Sequence, residues 1–131
     1  MHYSQATALA IAQVLRRYAI HATIKWPNDI LVDGKKICGI LVESTSRGDE
    51  PWVIVGIGLN VCMEGKLLAS IDQPATSMQE LLGTPIALEE VQHLIIDSVL
   101  AAFLWAQTDP SQCQRQYVAH SRITGKASHP P

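Results

Sequence analysis

The sequence lacks any long apolar run. No stretch approaches the about 18 to 20 consecutive apolar residues that a membrane-crossing helix needs, which excludes such a helix by length. The opening Met1-His2-Tyr3-Ser4-Gln5-Ala6-Thr7 lacks the basic segment and apolar core of a secretory leader, so the expected location is the cytoplasm, away from any membrane. Cysteine is scarce. Cys38, Cys62 and Cys113 are odd in number and widely spaced, without the local pairs of a zinc site or a secreted disulfide scaffold. His21, His93, His120 and His129 are equally scattered, and no metal-ligating set is expected. Positive charge is not in excess either. Ten Lys and Arg against twelve Asp and Glu leave a formal charge of −2 with no dense basic block, so no nucleic-acid partner is expected.

What is present is core-forming material. The 131 residues are 47% hydrophobic and 17% charged, a composition that supports one folded domain and gives no reason for global disorder. From Ser4 to Tyr18, Ala8, Leu9, Ile11, Ala12 and Leu15 recur at helical spacing, with Ser4 as the expected cap and Arg16 and Arg17 complementing the dipole at the far end. His21 to Trp26 has strand character and is stopped by Pro27, which places Asn28-Asp29 at a strand-to-turn transition. Ile30-Leu31-Val32 and Lys36 to Val42 flank Asp33-Gly34, the strongest hairpin signal in the chain. Glu43 to Glu50 reads as a polar connection, and Trp52 to Val61 returns as a strand, so three strands between Ile30 and Val61 make a meander. Glu64 to Ala75 reads as loop. Ser77-Met78-Gln79-Glu80 is a capping box for a short helix that Gly83 stops, and Leu88 to Ala106 carries a broad apolar stripe for a longer one. Apolar periodicity fades after Asp109-Pro110. The expected organisation is therefore a domain over 4–108 and a weakly structured tail over 109–131.

The run Lys25-Trp26-Pro27-Asn28-Asp29-Ile30-Leu31-Val32-Asp33-Gly34-Lys35-Lys36-Ile37-Cys38-Gly39-Ile40-Leu41-Val42-Glu43 resembles the biotin protein ligase family. So does Val55-Gly56-Ile57-Gly58-Leu59-Asn60-Val61, which follows in the same order. The early helix, Thr76-Ser77-Met78-Gln79-Glu80-Leu81 and the long helix after it also look like the family's organisation. The resemblance implies an α+β fold, a mixed sheet flanked by helices, related to class II aminoacyl-tRNA synthetases and lipoate ligases. It implies ATP-dependent attachment of biotin to a lysine of the biotin carboxyl carrier protein of acetyl-CoA carboxylase, through biotinyl-AMP and with magnesium. A homodimer is left open. The family's upstream arginine- and glycine-rich loop does not occur in these residues, and neither does its small C-terminal domain, so the isolated chain is expected to be weak or inactive. A noncatalytic interaction module or degenerate ligase fragment, and a lipoate ligase-like transferase, stand as the alternatives.

The resemblance assigns roles residue by residue. Lys36 matches the catalytic lysine, an ammonium that would face both biotin and the reacting phosphoryl group and stabilise negative charge there; as a bare sequence feature it is a surface lysine on a hairpin. Asp29 matches an acidic residue near the adenylate and the target amine, placed to orient that amine, to accept its proton or to reach magnesium through water. Gly39 resembles a close-approach glycine beside biotin, or it relieves crowding between strands. Lys25, Trp26, Asn28 and Asn60 match the nucleotide side. Solvent support for Lys25, packing for Trp26, an Asx turn for Asn28 and turn closure for Asn60 are the plainer readings.

Overall fold

In the computed structural model the described residues are 3–68 and 73–121. Helix α1, Tyr3–Arg17, is followed by strands β1, Thr23–Lys25, β2, Asp29–Val32, β3, Lys35–Arg47, and β4, Glu50–Leu59. Helices α2, Gly65–Leu68, α3, Met78–Leu82, α4, Leu88–Thr108, and α5, Pro110–His120, follow. The strands form one sheet in the order β1-β2-β3-β4, each antiparallel to its neighbour, and among the described residues parallel pairing enters at the isolated bridges Ile24 to Ser121 and Lys36 to Ala75. The expected α+β architecture is the one observed.

Helix α1 is small and apolar nearly all round. Ala6 through Ala12, Val14 and Leu15 are all buried, which places α1 inside the core instead of on its surface. The expected cap Ser4 lies within the helix, because the helix already includes Tyr3. Its other end closes as a Schellman turn: Ile20 N donates to Leu15 O at 3.0 Å and Ala19 N to Arg16 O at 2.9 Å, with Ala19 at φ 60° and the apolar Leu15 and Ile20 both buried.

The β2–β3 turn is as the sequence indicates. Asp33 and Gly34 take φ of 50° and 79°, the pair of positive values that a two-residue turn of matching twist requires. The segment Glu43 to Glu50 differs from expectation: β3 runs on to Arg47 and β4 starts at Glu50, so a polar connection is in fact a two-stranded arm. Its residues are exposed, so no burial pattern marks them as strand. The pairing and local contacts such as Arg47 over the Trp52 ring, 5.2 Å to its centroid, define it instead.

Helix α3 has Ser77 as N-cap, its hydroxyl accepting from Glu80 N at 3.1 Å, and Gly83 at φ 70° as its stop. Within the expected loop Glu64 to Ala75, Gly65–Leu68 is a helical turn and Ala75 pairs with Lys36, while residues 69–72 lie outside the described residues. The tail differs most. Asp109 caps α5 by accepting from Gln112 N at 3.2 Å, Pro110 occupies its first turn, and Cys113 and Tyr117 are buried. Two buried residues over eleven are too few for an apolar stripe, which is why periodicity did not reveal the helix. Residues 122–131 of the expected tail lie outside the described residues. No helix among the described residues is long and apolar enough to cross a membrane.

Candidate functional site

The site is built on the sheet, and an irregularity creates it. Asp29 pairs with Gly39 and Ile30 with Cys38, but Leu31 pairs with Lys36 and Val32 with Lys35, so Ile37 is an extra residue on β3. Side chains alternate faces along a strand, and residues three apart should therefore point opposite ways. The bulge cancels that offset and brings Lys36 and Gly39 to the same face. Asp29 shares that face as the cross-strand partner of Gly39, and Gly58 as its partner on β4.

On this face the Lys36 ammonium lies 3.3 Å from Asp29 Oδ1. Both side chains are 38% exposed, so the pair keeps contact with water and stays open to an incoming ligand. The backbone of Lys36 is clamped separately: its N–H donates to Pro74 O and Thr76 N–H donates to its carbonyl, each at 2.9 Å. A cleft of about 560 Å³ opens here, lined by Lys36, Cys38, Gly39, Gly58, Asn60, Gln73, Pro74 and Ala75. Among the described residues that line it, Lys36 is the charged one, and Gly39 and Gly58 add no side chains of their own. Burial pushes the Cys38 thiol up to about 12, the Asp29 carboxylate adds to this, and only the Lys36 ammonium opposes it; Cys38 is a neutral wall residue and no nucleophile.

Of the residues singled out from sequence, Lys36, Gly39 and Asn60 line the cleft, and Asp29 reaches it through Lys36. Lys25 is the cross-strand partner of Asp29 and shares its face, exposed. Trp26, 38% exposed and joined to Pro27 by a cis peptide, and Asn28, whose carbonyl accepts from Ile40 N at 3.0 Å, do not line the cleft. Asn60 Nδ2 donates to Thr76 O at 3.1 Å. Sequence reasoning did not place Gln73, Pro74 and Ala75 at the site. Their approach depends on a parallel bridge to Lys36 from far along the chain, for which no local pattern exists. No group of three His, Cys, Asp or Glu gathers to hold a metal ion among the described residues.

The fold resembles the α+β fold of the biotin protein ligases. The apo biotin protein ligase of Aquifex aeolicus superposes with a TM-score of 0.70 at 26% identity, over 79% of this chain and 45% of that one. The same enzyme in complex with biotin and ATP superposes at 0.79 and 21% identity, over 92% of this chain and 51% of that one, a likeness of fold. Residues 2–60 match the biotin/lipoate A/B protein ligase family. The bifunctional ligase/repressor BirA of Bacillus subtilis is 39% identical over 93 residues, 68% of this chain and 29% of that protein. The chain is similar to part of these ligases, spanning less than a third of that curated relative and about half of the solved ligases.

Proposed function

We propose that the cleft over Lys36 binds biotin and its adenylate, and that the reaction this fragment belongs to is ATP-dependent biotinylation of a lysine on a biotin carboxyl carrier protein. One observation carries the reading: an ammonium and a carboxylate meet 3.3 Å apart at the edge of a glycine-floored cleft. The biotin and ATP held by the Aquifex aeolicus ligase of the same fold support it.

In the first step a biotin carboxylate oxygen attacks the α-phosphorus of ATP and pyrophosphate leaves, giving biotinyl-AMP. Negative charge gathers on the phosphoryl oxygens, where the Lys36 ammonium is placed to stabilise it. In the second step the carrier lysine's amine attacks the acyl carbon, AMP leaves, and the amine proton passes to Asp29. Gly39 admits biotin to the floor, and Asn60, with Lys25, Trp26 and Asn28 from the β1–β2 edge, serves the nucleotide. Magnesium would come with the triphosphate to offset its charge, and Asp29 would be the residue to hold it, through water.

The isolated chain is proposed to be weak in turnover, since it spans about half of the solved ligases it resembles. Binding is therefore the sharper test. Titrating the purified chain with biotin and with biotinyl-AMP by calorimetry should show binding that Lys36→Ala weakens about tenfold, the loss of one charge-assisted contact. No binding of either ligand overturns the reading, and preference for lipoate over biotin redirects it to lipoate transfer.

A noncatalytic interaction module is the second reading, favoured by α4. Ile96, Leu100 and Leu104, four residues apart on one helix face, are 56%, 62% and 62% exposed. Partner capture indifferent to biotin and ATP would support it, and capture that requires either ligand would return the case to the enzyme.

A further inference from the structure

Among the described residues, the space above Gly39 is filled by the end of the Lys36 side chain. A methyl group built at Gly39 would stand 3.1 Å from Lys36 Nζ and 3.2 Å from Lys36 Cε, and no other atom of the described residues comes within 4 Å beyond its immediate chain neighbours. Both distances are shorter than ordinary contact for a side-chain carbon. Gly39 also lies directly opposite Asp29 on β2, so the ammonium that crosses above it is the one that meets the Asp29 carboxylate. Its backbone is extended strand without a positive φ, and any residue adopts that conformation. What the missing side chain leaves, then, is room for a lysine.

We infer that Gly39 is a positioning residue for Lys36: its bare backbone is the seat across which the lysine reaches Asp29, with the backbone clamp at Pro74 and Thr76 fixing the other end of the same residue. This deepens the ligase reading and rests on it for its catalytic consequence, while the seat itself is a property of the unliganded chain. Because Lys36 is flexible at its far end and, among the described residues, the group in the way, a Cβ at position 39 moves the lysine and spares the sheet. At Gly56 a Cβ would meet the Leu41 carbonyl oxygen at an ordinary 3.6 Å, which makes Gly56→Ala the matched control.

Two measurements test the seat. In the wild-type chain, NMR should show a nuclear Overhauser contact between the Lys36 ε-protons and the Gly39 α-protons, and its absence overturns the inference without any variant. Asp29→Asn should shift the Lys36 ε-carbon signal, and in a Gly39→Ala background that response should shrink at least about threefold, while Gly56→Ala leaves it intact. An undiminished response in Gly39→Ala overturns the inference. A binding cycle adds the functional arm. Gly39→Ala should weaken biotin binding about tenfold in the wild type and at most about threefold in Lys36→Ala, the difference being the part that passes through the lysine. An equal loss in both backgrounds would show that Gly39 meets the ligand directly and overturn the positioning role. If no chain binds biotin, the ligase reading fails and the NMR arm still decides the seat.

Discussion

Asn60 donates from Nδ2 to the carbonyl oxygen of Thr76, 3.1 Å away, and so ties the end of β4 to the segment that clamps Lys36. Met78 N–H returns the connection by donating to the Asn60 carbonyl at 3.0 Å. A residue assigned from sequence to the nucleotide thus also holds the cleft together. Asn60→Ala leaves Thr76 O without that donor and should cost about 1 to 3 kcal/mol of stability, read as a lower urea midpoint at unchanged slope. An unchanged midpoint would leave Asn60 with a ligand role alone.

The Schellman turn ending α1 sets a non-glycine residue, Ala19, at φ 60°. Glycine takes that conformation without its Cβ meeting the backbone, so Ala19→Gly should raise stability by about 0.5 to 1 kcal/mol, offset in part by the looser unfolded chain. Chemical denaturation measures it, and clear destabilisation would contradict the closing geometry.

Tyr117 is 1% exposed on α5, and its hydroxyl has no hydrogen-bond partner among the described residues. Burial alone pushes its phenol up from the ordinary value. Tyr117→Phe keeps the ring and removes an unpaired polar atom, so stability should hold or rise by about 1 kcal/mol. A large loss in thermal melting would show that the hydroxyl has a partner after all.

The three thiols differ in environment: Cys62 is exposed, whereas Cys38 and Cys113 are buried. At mildly alkaline pH iodoacetamide should label Cys62 on the folded chain and the other two only after unfolding, as peptide mass spectrometry can read. Rapid native labelling of Cys38 would contradict the closed cleft wall.

Alkaline pH should also weaken the fold. Burial first raises the Cys38 thiol from 9.0 to about 12; burial and then the Glu90 hydrogen bond raise Tyr18 from 10.0 to about 12. The folded chain holds both protons more tightly than the unfolded one. Their stabilisation is therefore complete below pH 9 and is lost as the pH climbs toward 12. The urea midpoint should fall across that window, and Cys38→Ala should flatten the fall. A midpoint level from pH 9 to pH 12 would refute the buried neutral thiol.

Much of this was local and therefore legible. Asp33-Gly34 dictated its own turn, Ser77 and Gly83 bounded α3, and the spacing from Leu88 marked α4, because each depends on residues within a turn or two of one another. The motif around Lys36 told which family to expect. Helix α5 and the exposed arm of β3 and β4 were hidden, since neither buries enough apolar surface to leave a pattern.

By itself the sequence determined the locally coded elements and the chemical inventory of the site: an amine at 36, a carboxylate at 29, bare backbone at 39 and 58. Only the tertiary structure decided that they meet. Strict alternation would have sent Lys36 and Gly39 to opposite faces, and the extra residue Ile37, set by the pairing of β3 with β2, returned them to one. The wall at Gln73 to Ala75 came from a parallel bridge between distant segments. Both are long-range pairings, whose partners are chosen by the folded core and leave no periodic trace in the residues themselves.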